Sequence, residues 1–136
     1  MNYDLKLDEI IKRQDEILKR LYAMDKPVFV QDGEKKRVLR VSEICFITTN
    51  SKGLDIFTTD GKKHINFDSI SEMDKEYQNT SLMKTHKSFI INLDLIDSVK
   101  VVPGGREVTF KGISPELTAR ITFDTLDEFH RRFGKT

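Results

Sequence analysis

Residues 85–96 read THKSFIINLDLI, the most informative stretch of the chain. Four polar residues, His86, Lys87, Ser88 and Asn92, are set among apolar residues that require a core. Because the apolar residues anchor the segment, the polar side chains are held at fixed positions, which suits contact with a phosphate backbone or a base edge. Taken alone, the stretch fits an ordinary buried strand with an exposed His-Lys pair equally well.

The composition is that of one globular domain with an appendage. The chain has 136 residues, of which 38% are hydrophobic and 33% charged. No apolar run approaches the roughly 20 residues that span a bilayer, and no signal-peptide pattern is present. Cys45, the single cysteine, lies among apolar neighbours, which predicts a buried thiol in a reducing cytoplasm. We therefore expect a cytoplasmic protein without a membrane partner.

Charge is unevenly distributed along the chain. The net charge is only +1, yet residues 78–93 contain Lys84, His86 and Lys87 and no acidic residue. Salt limits the reach of each charge to about 8–10 Å. A local basic patch can therefore attract a polyanion even on a nearly neutral protein.

Residues 3–24 show the apolar periodicity of one helix. Apolar residues recur at spacings of three and four and form a seam, which Ile11 and Leu18 widen on one side. The seam consists of Leu7, Ile10, Gln14, Ile17, Leu21 and Met24. Pro27 restricts the residue before it and so ends the helix. Because about three heptads are short for an autonomous coiled coil, packing onto the chain's own domain and pairing with a second copy are both open.

From Val28 onward the pattern is that of short strands separated by turns. We expect extended segments at 27–30, 37–49, 54–58, 63–67, 82–86, 89–96, 98–102, 107–111 and 117–122. A short helix is expected at about Ser69–Gln78, where Ser69 and Glu72 have capping-box spacing. A terminal helix is expected from Asp124, its predicted N-cap, to Phe133. The fold class is therefore mainly β with minor α.

The residue types that catalysis requires are scattered. His64, His86 and His130 lie in different predicted elements, and no HxxxH, CxxC or paired-carboxylate spacing of metal ligands occurs. No serine lies in a GxSxG turn, and Gly104-Gly105 lacks the context of a phosphate-binding loop. We expect neither an enzyme nor a bound metal or cofactor.

Residues from about 27 to 133 resemble the LytTR family of bacterial DNA-binding domains. The strongest match, MKTHKSFIINLDLI at 83–96, resembles the family's hydrophobic strand followed by His-Arg-Ser-aromatic-aliphatic-Val-Asn. In the expected order, residues 41–47 resemble the strand that opens the domain, 60–63 its hairpin turn and 69–77 its short helix. The resemblance implies short antiparallel sheets in a LytTR-type domain at 26–136, with 1–25 as a separate N-terminal helix.

The resemblance also implies that loops on one edge of the domain, and not a recognition helix, enter successive major grooves of double-stranded DNA. Lys87 occupies the basic DNA-contacting place of the signature, and His86 supports its loop from behind. Ser88 and Asn92 supply further hydrogen-bonding groups. The other candidates lie in an early loop that the family uses for base or phosphate contact: Asn50, Ser51 and Lys52.

The chain departs from the family pattern in three ways. Asp124 stands where the family has a basic residue, so Arg120 would substitute only if its side chain faces the same edge. Lys87 replaces an arginine and gives up the planar fork that reads guanine. Family members commonly follow a receiver domain, whereas here a 25-residue helix precedes the domain, so we expect no phosphorylation switch within the chain.

Two functions are open at this stage. The first is a stand-alone transcription regulator of the LytTR type, which binds duplex DNA at repeated half-sites as a homodimer formed through residues 3–24. The second is a protein-interaction module or antagonist that keeps the fold and pairs with a related regulator through the N-terminal helix. Asp124 favours the second interpretation, because a carboxylate repels phosphates.

Overall fold

The structure, a computed structural model, describes residues 9–14, 16 and 25–134. Residues 9–14 and 16 are helical, as the periodicity predicts. The rest of the predicted helix at 3–24, including most of its seam, lies outside the described residues. No helix among the described residues is long and apolar enough to cross a membrane.

Residues 25–134 form ten strands and two helices. The strands are β1 (Pro27–Asp32), β2 (Lys35–Arg40), β3 (Ile44–Thr49), β4 (Leu54–Thr58), β5 (Lys63–Asn66), β6 (Leu82–His86), β7 (Phe89–Asn92), β8 (Ile96–Val102), β9 (Gly105–Phe110) and β10 (Ala119–Thr122). The helices are α1 (Ile70–Glu76) and α2 (Phe123–Phe133). A large antiparallel sheet has the strand order β2-β1-β5-β4-β3-β7-β6, and a small one has the order β10-β9-β8. The mainly β, antiparallel fold class is confirmed.

The two faces of the large sheet contact different cores, because alternate residues of a strand point to opposite sides. One face packs with α1 around Val28, Leu54, Ile56 and Met73, none of which is more than 1% exposed. The opposite face packs, at β3, β6 and β7, against the small sheet and α2. The large sheet is thus the central layer of the domain.

The second core is built around Phe46, which is 2% exposed. Its ring stacks on Phe57 with centroids 4.6 Å apart and on Phe110 with centroids 5.1 Å apart. Phe129 of α2 is fully buried in the same cluster. These rings join the large sheet to the small sheet and to α2, so they fix the relative position of the two sheets.

Cys45 and His64 are both core residues with structural roles. Cys45 is fully buried, and burial raises the pKa of its thiol to about 11, so the thiol is inert at neutral pH. His64 Nδ1 lies 2.8 Å from Asp32 Oδ1, and His64 Nε2 lies 3.3 Å from Thr58 Oγ1. These contacts join β5 to β1 and β4, which makes His64 a partnered core residue.

The extended segment predicted at 37–49 is two strands. A 3-10 turn at Val41–Glu43 divides it, so β2 lies at one end of the large sheet and β3 in its interior. Glu43 Oε1 accepts a hydrogen bond from Arg40 N at 3.0 Å, which stabilises the break. The apolar pattern gives no sign of it, because Val41 is itself buried.

The apolar run at 89–96 is divided in the same way by a 3-10 turn at Leu93–Leu95. Asn92 Oδ1 accepts a hydrogen bond from Asp94 N at 3.0 Å, a local bond that ends β7. The next strand, β8, belongs to the small sheet. The signature segment therefore connects the two sheets.

Both helices predicted within the domain are present, but one cap differs. Ser69 Oγ accepts from Glu72 N at 3.1 Å and Ser69 N donates to Glu72 Oε1 at 3.2 Å, so α1 has the predicted capping box. The prediction that Asp124 is the N-cap of α2 is wrong, because Thr122 is the N-cap. Asp124 lies in the first turn, where the helix dipole still favours a negative charge.

Candidate nucleic-acid interface

Two connections of the large sheet lie side by side at one edge. The loop at 50–53 joins β3 to β4, and the turn at 87–88 joins β6 to β7. Thr49 N donates to Ser88 O at 3.2 Å, which places the two connections next to each other. We call this end of the domain, with Arg120 and the first turn of α2 beside it, the loop edge.

Asn50 holds its loop in shape. Its Oδ1 accepts from Lys52 N and from Gly53 N, each at 2.7 Å, and its Nδ2 donates to Asp55 Oδ1 at 2.8 Å. The side chains of Ser51 and Lys52 are exposed. Ser51 and Lys52 are therefore accessible to a ligand, whereas the side chain of Asn50 is used by the loop itself.

Lys87 lies in the second connection with its side chain exposed. Behind it, His86 Nδ1 accepts a hydrogen bond from Ser88 N at 3.0 Å. The His86 ring also meets the Phe89 ring edge-on, with centroids 5.4 Å apart, and Phe89 is half-buried against Phe46. His86 thus braces the turn from behind, Ser88 takes part through its backbone, and Lys87 extends from a rigid support.

Thr85 joins the two sheets at the loop edge. It is fully buried, and its Oγ1 donates to Arg120 O of β10 at 2.8 Å. Its carbonyl accepts from Thr125 Oγ1 at 2.8 Å and from Thr122 Oγ1 at 3.3 Å. These bonds hold β10 and the start of α2 beside the second connection. Sequence reasoning missed this role because a threonine in an apolar strand carries no signal of a tertiary hydrogen bond.

Thr85→Val is expected to lower the free energy of unfolding by about 1–3 kcal/mol, because Arg120 O loses a buried hydrogen-bond donor while the side-chain volume is kept. Urea unfolding measures the change. Thr59→Val, at an exposed position, is the matched control and should change stability by less than about 0.5 kcal/mol. Equal effects of the two substitutions would show that Thr85 does not hold the sheets together.

Arg120 lies at the same edge as the second connection. Its side chain is exposed, and it lines a cleft of about 220 Å³ together with His86, Pro103, Gly104 and Thr122. A third cation is thus brought beside His86 from the small sheet. Arg120 thus lies where a cation must lie if it is to replace the basic residue that the family has at the position of Asp124.

Asp124 shares a larger groove with Lys87. This groove, of about 760 Å³, runs between α1 and α2 along β6, and at the loop edge its walls include His86, Lys87, Thr122 and Asp124. Asp124 is exposed, and no ion pair joins it to Lys87 among the described residues. A carboxylate here repels phosphates but can accept hydrogen bonds from the amino groups of cytosine or adenine.

Asn92 lies in the core and not on the surface. It is fully buried, and its Nδ2 donates to Val41 O at 3.0 Å and to Ile44 O at 2.8 Å. Its position is at the end of β7 that lies away from the loop edge. The prediction that Asn92 contacts DNA is therefore wrong, and its role is structural.

Arg106 is a cation near this edge that sequence reasoning missed. It follows Gly105 at the start of β9 and pairs with Ile121 of β10. Its Nη1 donates to Gly105 O at 3.0 Å, and its Nε is buried without a hydrogen-bond partner among the described residues. Because this donor is buried, it is not accessible to a phosphate at the surface. The alternating strand pattern around Arg106 gave no indication of this.

Comparison with known proteins identifies the family. Residues 34–133 match the family model of the LytTr DNA-binding domain. The chain belongs to the LytTR family. A solved structure described as the LytTr DNA-binding domain of a methyl-accepting/DNA response regulator from Bacillus cereus is similar, with a TM-score of 0.68 and 13% sequence identity over 80% of this chain and 97% of that chain. No curated protein matches the chain.

LytTR membership assigns residues 34–133 to a family of DNA-binding domains. Because the solved structure is only 13% identical in sequence, the comparison shows a shared fold and no more. The shared fold extends over 97% of that solved chain. Among the described residues, no group of three or more His, Cys, Asp and Glu side chains could hold a metal ion.

Proposed function

We propose that this LytTR protein is a sequence-specific regulator of transcription that contacts duplex DNA through its loop edge. One observation carries the proposal: exposed Lys52, Lys87 and Arg120 reach the same edge from three separate segments. Cations on a rigid support neutralise phosphates and fix the register of a protein on the duplex. Such a regulator would act in the cytoplasm of a bacterium.

The proposed contacts come from loops because α2 is poorly suited to a recognition helix. Its exposed surface includes Asp124 and Asp127 as well as cations, and acids are repelled by the phosphates that line the major groove. The loop at 50–53 and the turn at 87–88 project from the sheet instead. We propose that each enters a major groove, with Lys52 and Lys87 contacting phosphates or base acceptors.

We also propose that residues 1–25 form a unit separate from the DNA-binding domain at 26–136 and join two copies of the chain through the seam at 3–24. The seam has the heptad spacing of a short coiled coil. Gln14 at a seam position suits this role, because one polar residue there can fix the pairing at some cost in stability. Each copy would then present its loop edge to one half-site.

Selection from a random duplex pool, followed by electrophoretic shifts of the selected duplex at low and moderate salt, tests the DNA-binding proposal. The expected result is a selected sequence with two repeated half-sites and an affinity that falls as salt rises. Recovery of no sequence, or binding equal to that of an unselected duplex, would contradict sequence-specific recognition.

Lys87→Ala is expected to weaken binding to the selected duplex by about 1–2 kcal/mol without lowering the melting temperature, because Lys87 is exposed and its support is unchanged. Lys62→Ala is the matched control: Lys62 is also an exposed lysine, but it lies in the β4–β5 connection at the opposite edge of the large sheet. If both variants bind as tightly as the wild type, Lys87 is not a DNA contact.

A second candidate function, a protein-interaction module or antagonist, is favoured by one observation: Asp124 lies in the same groove as Lys87. In this role the protein would pair with a related regulator through its N-terminal helix and keep that regulator from DNA. It would then shift no duplex alone and would weaken the shift given by its partner.

A further inference from the structure

The small sheet and α2 leave part of the large sheet uncovered. The strands β2, β1 and β5 and the residue that follows β5 carry four exposed apolar side chains, which we call the open face: Phe29 (65% exposed), Val38 (56%), Ile65 (38%) and Phe67 (65%). Phe29 pairs directly with Val38, and Ile65 pairs with Gln31, so these side chains share one side of the sheet.

The open face continues the side of the sheet that is buried elsewhere. Phe57, which packs in the second core, pairs with Lys63, and Lys63 is two residues from Ile65 on the same side of β5. Beyond the small sheet, this side forms a groove of about 360 Å³ whose lining includes Phe29, Lys36, Ile65, Phe67 and Asp68. Isolated exposed apolar residues are ordinary, but a contiguous group marks an interaction surface.

We propose that the open face is the docking site of this chain's own N-terminal helix, residues 3–24. The first argument is where that segment joins the domain. Only Asp25 and Lys26 separate its end from Pro27, the first residue of β1, and β1 carries Phe29. Asp25 Oδ1 accepts a hydrogen bond from Ser42 N at 2.9 Å, which fixes the entry point beside β1 and β2. The tether thus holds the segment next to the open face.

The second argument is the match of apolar and charged groups. In a continuous helix over 3–24 with 3.6 residues per turn, Ile11 and Leu18 would lie on one side of the seam. In such a helix, Asp4, Asp15 and Asp8 would follow on that same side, with Lys19 and Lys12 next to them. Three basic residues would lie on the other side: Lys6, Arg13 and Arg20. Ile11 is 47% exposed, so its apolar surface is available.

The open face carries charges of the sign that this arrangement requires. Lys36 and Lys63 are exposed and lie on the same side of the sheet as Phe29 and Ile65. Two acids share this side of the sheet. Asp68 lines the end of the groove, and Asp55, which pairs with Ile65, accepts a hydrogen bond from Asn50 Nδ2. Docking through Ile11 and Leu18 brings the acidic flank of the helix to the two lysines. Ile11 and Leu18 border the seam on one side, and the experiments below measure docking within one chain separately from the dimer and from DNA binding.

A double-mutant cycle in the full chain tests the proposal by thermal unfolding. Leu18→Ser and Phe67→Ser should each lower Tm by about 3–6 °C, and the double variant by no more than either alone, because both changes remove one contact. The matched control is Val101→Ser, since Val101 is 73% exposed but lies on β8 of the small sheet. It should leave Tm unchanged and add nothing to Leu18→Ser. If Phe67→Ser behaves like Val101→Ser, or if its effect adds to that of Leu18→Ser, the proposal is overturned.

Cross-linking decides which copy supplies the helix. In a chain with Leu18→Cys and Phe67→Cys, a short bis-maleimide should join the two cysteines within one chain, while Cys45 stays unreactive because it is fully buried. A chain with Leu18→Cys and Val101→Cys should give no such product. Cross-links between two chains, or equal yields from both cysteine pairs, would overturn docking by the chain's own helix.

Discussion

Phe46→Ala is expected to lower the free energy of unfolding by about 3–5 kcal/mol. The ring is buried and stacks on both Phe57 and Phe110. Its removal loses the transfer free energy of the ring, leaves a cavity and abolishes two aromatic contacts, one to Phe57 within the large sheet and one to Phe110 of the small sheet. Urea unfolding of the wild type and of Phe46→Ala measures the difference in free energy, provided that the slope m is the same for both proteins.

Phe123→Ala is the control for this prediction, because Phe123 is 63% exposed at the start of α2. It should change stability by less than about 0.5 kcal/mol. Phe89→Ala should fall between the two, since Phe89 is half-buried and not fully buried. A loss for Phe46→Ala no larger than that for Phe123→Ala would mean that the aromatic stack does not hold the two sheets together.

A chain that begins at Pro27 is expected to bind a duplex with two half-sites at least about tenfold more weakly than the full chain. The reason is that, without the dimer, binding of one loop edge to its half-site no longer holds a second loop edge near the other half-site. Binding to a single half-site should hardly change, because the loop edge lies entirely in the remaining domain. Titration of both duplexes with both chains measures the two ratios.

Sedimentation separates the causes of any loss. The full chain should be a dimer at tens of micromolar, and the chain that begins at Pro27 should be a folded monomer. Ile17→Glu provides a control, because it charges the seam while leaving Ile11 and Leu18, the proposed docking side, in place. It should give a monomer that binds a single half-site normally. A full chain that sediments as a monomer would contradict dimerisation through residues 3–24.

Local signals in the sequence predicted much of the fold. The capping box of Ser69 and Glu72 gave α1, and the turn at Asp60-Gly61 gave the β4–β5 connection, because each depends on neighbouring residues alone. The 3-10 turn at Val41–Glu43 was missed because no Gly or Pro interrupts the predicted segment 37–49. A break between two extended segments that contains no Gly or Pro leaves no local signal in the sequence.

The resemblance correctly pointed to exposed residues at the candidate site. It did not predict the side chains that form hydrogen bonds with distant backbone groups. Lys52 and Lys87 are exposed at neighbouring connections, as an interface requires. Asn92 was misplaced because its amide binds two carbonyl groups more than 40 residues earlier, at Val41 and Ile44. Thr85 was missed for the same reason, since its partner Arg120 lies 35 residues away. Such long-range bonds depend on the topology and cannot be read from the local pattern.

The most direct test of the proposed interface is the salt dependence of duplex binding by the full chain and three lysine variants. For the wild type, the logarithm of the binding constant should fall linearly with the logarithm of salt concentration. Lys52→Ala and Lys87→Ala should each reduce that slope by about 1, whereas Lys62→Ala, at the opposite edge, should leave it unchanged. Identical slopes for all four proteins, or no binding to any duplex, would contradict the account of the loop edge as the DNA-binding surface.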